Sequence, residues 1–142
     1  MTGGVLYAAS PVVFVVLLDG GGVEKFRFAP PEGRFTVRFM HSWAMSPVDE
    51  IFQVDVDNNI VLKETIYEDF GAGLPHMPEP PSSMTVGGGK IHIRNIDRVI
   101  NDLQIRVGRV VAAHTLIFGD RHVPFSDFAA PGSVVIFSTK AE

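Results

Sequence analysis

Phe52-Gln53-Val54-Asp55-Val56-Asp57-Asn58-Asn59-Ile60-Val61-Leu62 is the stretch on which the fold turns. Phe52, Val54 and Val56 alternate with Gln53, Asp55 and Asp57, the two-residue period of a strand with one buried face. Asn58-Asn59 supplies residues suited to a tight corner, and Ile60, Leu62 and Ile66 resume beyond it, so the stretch is expected to form a β-hairpin. Upstream, Phe35, Val37 and Phe39 alternate with Arg34, Thr36 and Arg38 as a second half-buried strand, followed by a loop over His41 to Pro47. Within that loop, Ser46-Pro47-Val48-Asp49-Glu50 has the cap and first-turn proline of a helix start and predicts one short helical turn. Farther back, Asp19-Gly20-Gly21-Gly22 is a turn between Val12 to Leu18 and Val23 to Phe28, so an opening hairpin is expected. Pro30-Pro31-Glu32-Gly33 separates it from the next strand.

Downstream, Phe70 to Ser83 holds Gly71, Gly73 and a series of prolines, which cannot sustain a ladder and read as an irregular loop. Strands are expected again at Lys90 to Arg94, Leu103 to Val107, Val110 to Phe118, His122 to Phe125 and Ser133 to Thr139. Turns separate them at Gly87-Gly88-Gly89, Gly119-Asp120 and Pro131-Gly132, and Asp97 to Leu103 is read as one helical turn. About ten short strands with no sustained helical periodicity predict an all-β fold with little helix, a β-sandwich or a partly closed barrel. A chain of 142 residues can bury one core unaided, so residues 1–142 are read as a single domain.

Bulk properties remove several function classes. Hydrophobic residues at 46% and charged residues at 20% are ordinary globular usage, against disorder. A net charge of -4 with scattered Lys and Arg offers no basic face, so nucleic acid is not an expected partner. The lack of cysteine excludes a disulfide scaffold, thiolate catalysis and cysteine-ligated zinc. Val5 to Leu18 is almost wholly apolar but too short to cross a bilayer as a helix. It also lacks the basic residues of a signal peptide and is interrupted by Pro11. We therefore read Val12 to Leu18 as a buried strand and expect no transmembrane span, with residues 1–11 either flexible or the remnant of a targeting segment.

Extending the strand parities exposes polar residues at apolar positions. Two steps beyond Phe39 lies His41, and one step of two back from Phe52 lies Glu50. Two steps beyond Leu62 lies Glu64. If Val56 and Ile60 flank the turn, Phe52 faces Glu64 and Glu50 faces Ile66, so the two carboxylates become diagonal neighbours on one face. His114 sits within Val110 to Phe118, a run apolar on both parities. Two imidazoles and two carboxylates in an apolar setting suit a divalent metal or an acid/base pair with perturbed pKa values. The competing structural reading has these groups satisfied by ion pairs and backbone bonds. Other motifs fail: Asp55-Val56-Asp57-Asn58-Asn59 lacks the glycine and bidentate acid of a calcium loop, and Gly87-Gly88-Gly89 opens no phosphate-binding helix. No serine stands in a nucleophile-elbow motif, and His76, His92 and His122 are read as turn or solvent-facing residues.

His41-Ser42, Pro47-Val48-Asp49-Glu50, Glu64-Thr65 and Phe70-Gly71-Ala72-Gly73-Leu74-Pro75, with Arg106-Val107-Gly108 and His114-Thr115-Leu116 later, resemble the domain-of-unknown-function family 1850. The resemblance runs from about Pro11 to Phe137, and its most specific piece is Phe-Gly-Ala-Gly-Leu-Pro. Asp49 stands where the family has glutamate, and Trp43-Ala44-Met45 departs from the usual loop. The resemblance implies an association with TRAP-type, solute-receptor-dependent transporters and an extracytoplasmic location, and it implies no activity.

Three readings follow. The first is an accessory or ligand-binding domain that partners a TRAP-type transporter or its solute receptor and takes a small organic ligand. Its pocket would be formed by His41, Ser42, Glu50, Glu64, Phe70, Gly71, Gly73 and His114. No cofactor is expected there unless a divalent metal is held by His41, Glu50, Glu64 and His114. The second is a metal-dependent or acid/base hydrolase using the same residues. The third is a self-assembling structural subunit that donates Val12 to Leu18 as a strand.

Overall fold

The computed structural model describes residues 11–41, 45–68, 81–109 and 113–142. Its backbone is organised by one long ladder: β3 (Arg34–His41) pairs antiparallel with β4 (Ser46–Val54) from Arg34 opposite Gln53 to His41 opposite Ser46, without a break. β4 turns at Asp55–Asn59 into β5 (Ile60–Glu68), and the Asp55 carboxylate accepts the Asp57 and Asn59 backbone N–H groups at 2.9 and 2.8 Å. That is an Asx-type corner, as the composition predicts.

The other strands of the large sheet build outward from this core. β6 (Ser83–Gly87) and β7 (Lys90–Arg94) form a hairpin beside β5, and the two-residue β8 (Arg98–Val99) pairs with the start of β5. On the opposite side, β10 (Thr115–Phe118) pairs with β3 and turns into β11 (Arg121–Pro124). The order is β11-β10-β3-β4-β5-β7-β6, with β8 beside β5. A second sheet runs β2 (Glu24–Phe28), β1 (Val13–Leu18), β12 (Val134–Ala141) and β9 (Gln104–Arg106). The result is an all-β sandwich of twelve strands among the described residues, not a closed barrel.

The two sheets meet over an aromatic core. Phe35 lies 5.3 Å from Phe52 and 6.0 Å from Phe137 between ring centres, and meets Phe28 edge-on at 5.4 Å. Val15 and Leu17 of the small sheet and Val37 and Leu116 of the large one complete its fully buried centre. Because residues directly opposite in an antiparallel ladder share a face, this core defines the inner face of the large sheet.

Several expectations are corrected. Ser46 and Pro47 begin β4 and form no helical turn. Pro47 stands opposite Met40 of β3, while the ladder to β5 begins only at Val48, so its missing N–H is not required there. Asp97 to Leu103 contains β8 and a turn, with no helix. The strand expected from Val110 begins at Thr115, and residues 110–112 lie outside the described residues, as do Ser42, Phe70, Gly71 and Gly73. Two single 3-10 turns, Pro31–Gly33 and Phe125–Asp127, are the helical content of the described residues. β1 is hydrogen-bonded on both edges within its own chain, to β2 and β12, so Val12 to Leu18 is no free donor strand.

Phe35 is 1% exposed and touches rings from both sheets. Phe35→Ala should therefore cost roughly 3–5 kcal/mol in urea unfolding, and a loss under about 1 kcal/mol would contradict this packing.

Candidate functional site

Cross-strand rows on the inner face of the large sheet change character along β4. Phe52 pairs with Phe35 and Leu62 in an apolar row that ends at Arg98 of β8. The next row holds Leu116, Val37, Glu50, Thr65, Ile93 and Met84. Then come Phe39, Val48, Tyr67 and Ile91, and last His41 opposite Ser46. The main core cluster takes in Phe35, Phe52, Val37 and Leu116, and the polar residues begin where it stops.

Glu50 is half-buried in this polar end, between Val37 and Thr65. Among the described residues its carboxylate has no hydrogen-bond or ion-pair partner, and desolvation pushes its pKa above the usual glutamate range. His114 directly precedes β10. The continuing register sets it beside Phe39, and its ring lies 5.6 Å from that of Phe39 and 5.4 Å from that of Phe125. Its backbone carbonyl accepts the Phe125 N–H at 2.9 Å. Its Nδ1 is buried with no hydrogen-bond partner, and burial holds its pKa below the usual histidine value. Ser46, 4% exposed, also has a buried side-chain oxygen without a partner.

Among the described residues, the Ser46 Oγ and His114 Nδ1 are the buried side-chain polar atoms left unpaired, and both lie at this end of one face. Leaving such an atom unsatisfied costs about 1–3 kcal/mol, and native structures hold few of them. Their concentration beside an uncompensated carboxylate makes this end of the sheet the candidate site.

Glu64 does not join it. The β4–β5 register shifts between Ile51 and Phe52: Phe52 faces Leu62, Ile51 faces Glu64 and Glu50 faces Thr65, leaving Lys63 as an extra residue. This bulge lies where the neighbour of β5 changes from β7 to β8. The Ile96 N–H reaches the Lys63 carbonyl at 3.1 Å, and Lys63 pairs with Asp97 at 2.5 Å. Past it the parity of β5 inverts, so the expected diagonal pair of Glu50 and Glu64 is corrected: they occupy opposite faces. On the outer face the Glu64 carboxylate is held by Arg34 and by His92 Nε2 at 2.7 Å, with Arg94 at 3.9 Å. His92, expected as a turn or solvent-facing residue, lies partly buried in β7 and is a partner of Glu64. Knowing the face of Glu64 would have found it, since His92 stands opposite Ile66 on the neighbouring strand.

His41 ends β3 on the inner-face parity and is exposed. Of the four proposed metal ligands, then, Glu64 faces away from the other three, and no group of three or more potential ligands is positioned for a metal among the described residues. Glu50 and His114 lie two strands and one two-residue step apart, roughly 12 Å between α-carbons from strand spacing and rise, too far for a direct proton relay along the sheet. With its Oγ unbonded, Ser46 has no base to activate it. What the arrangement offers is a set of hydrogen-bonding groups awaiting a partner.

The two buried titratable groups fix a pH signature. Because the Glu50 pKa is raised on folding, its penalty is absent below about pH 4.3 and complete once the buried carboxyl has ionised. Glu50→Gln should therefore stabilise the protein at neutral pH, on the order of 1 kcal/mol, with the gain vanishing in acid. The His114 pKa is lowered, so stability is present above about pH 6.5 and lost as pH falls below it. His114→Phe should flatten that acid-side loss while keeping the ring packing. Thermal unfolding across pH 3–8 checks both, and parallel profiles for wild type and variants would contradict them.

No curated protein and no solved structure matches the chain significantly. A family model described as "Domain of unknown function (DUF1850)" matches residues 35–125, from β3 through β11, a span that includes Glu50, Glu64, His92 and His114. As that span is more than half of the sequence, the chain belongs to the DUF1850 family.

Proposed function

We propose that the chain is a non-catalytic accessory domain that binds a small polar ligand, working outside the cytoplasm beside a TRAP-type transporter or its solute receptor. The observation that carries the binding reading is the unpaired trio of Glu50, His114 Nδ1 and Ser46 Oγ at one end of the inner face. Unsatisfied buried polar groups are costly, and a ligand that completes their hydrogen bonds offsets that cost only when bound. The location and the transporter partner rest on the family resemblance, and no helix among the described residues is long and apolar enough to cross a membrane.

A hydrolase finds less support. The carboxylates are split between two faces, and Glu50 and His114 stand too far apart along the sheet for a direct proton relay. Calorimetric titration with short organic acids, amines, alcohols and divalent metals, combined with co-purification against the transporter subunits and the receptor, tests the reading. We expect at least one small organic ligand to bind, and its affinity to fall in Glu50→Gln. No heat with any compound and no retention of either partner would overturn it.

A further inference from the structure

Every one of the chain's 12 lysines and arginines lies in the described residues, and none stands at the polar end of the inner face. Arg34, Arg38 and Arg94 project from the outer face, where they hold Glu64 and Asp49. Lys63 is taken by Asp97 at the bulge. At the apolar end, Arg121 covers the Phe118 ring and Arg98 stands opposite Leu62. The basic residues of the four-stranded sheet pair with its own acids or with a backbone carbonyl. Among the described residues, the titratable groups at the polar end of the face that holds Glu50 are His41, Tyr67 and His114.

From this distribution we infer that the site proposed above takes a small organic cation, an ammonium group on a short apolar skeleton, and rejects the matching carboxylate. The inference rests on the ligand-binding reading and narrows it to a chemical class. A half-buried carboxylate without a countercharge is completed by a positive group that also donates hydrogen bonds. Val37 opposite Glu50 and Val48 two residues along β4 supply apolar wall for a short skeleton. An incoming carboxylate would instead meet Glu50 as a like charge, with no lysine or arginine to neutralise either. Size argues against a bare metal ion. Glu50, Ser46 and His114 stand roughly 12–14 Å apart between α-carbons, from the strand spacing and rise, and no group of three or more potential ligands is positioned for a metal among the described residues.

The test is calorimetric titration of the whole chain with matched series of two to six carbons: alkylammoniums, the corresponding alcohols and the corresponding carboxylates. We expect an alkylammonium to bind at least about tenfold more tightly than its carboxylate, the sign that charge complementarity confers. Glu50→Gln should abolish that preference. Glu64→Gln, on the outer face, should leave the preference intact, and thermal unfolding confirms that each variant folds. Binding of carboxylates as tight as that of ammoniums, or a preference that survives Glu50→Gln, overturns the inference while leaving a ligand-binding domain in place. No binding by any member of the three series overturns both.

Discussion

The unbroken ladder between β3 and β4 governs the arrangement of everything else. Its eight register pairs carry two kinds of chemistry on one continuous face: Phe35 opposite Phe52 at one end, and His41 opposite Ser46 at the other. The four-stranded sheet covers the first end with Val15, Leu17 and Phe137 and makes it a core. Because the ladder is rigid and its period is two, Glu50 cannot rotate to solvent without taking Phe52 and Val48 out of the interior. The strand that builds the core therefore also holds a carboxylate where solvation is poor.

How far the sequence revealed this follows from the same periodicity. β3 and β4 alternate without interruption, so the inward position of Glu50 is legible from Phe52 alone, and Asn58-Asn59 locates the corner. Glu64 is misread for a definite reason. Leu62-Lys63-Glu64 continues the apparent alternation, and a bulge at Lys63 leaves no compositional mark, yet one extra residue reverses every side chain beyond it. The fixing contacts come from Ile96 and Asp97, about thirty residues away, where local reading does not reach. The helix signal at Ser46-Pro47 is overridden by the ladder to β3, where Pro47 stands opposite Met40, and β5 is not bonded at Pro47, so its missing N–H is tolerated. The all-β class is legible because turn chemistry punctuates the chain so densely, whereas the short β6 and β8 carry too few alternating residues to be read as strands.

The two carboxylates of the hairpin now illustrate opposite solutions to one problem. Glu64 is surrounded by Arg34, His92 and Arg94 and stitches β3, β5 and β7 together across the outer face. Glu50 has none of these. Natural sequences agree across local propensity, packing and polar satisfaction except where function demands otherwise, and the inner end of this sheet breaks the last rule at Ser46 Oγ and His114 Nδ1, on the face that also holds the half-buried Glu50.

The most direct test is a carbon-13 NMR titration of the Glu50 side-chain carboxyl, in the free protein and with a saturating alkylammonium. The account predicts that the free carboxyl titrates above the usual glutamate range, because burial disfavours its charge, and that the bound cation brings the value down. An ordinary titration in the free protein, unchanged by the cation, would contradict it.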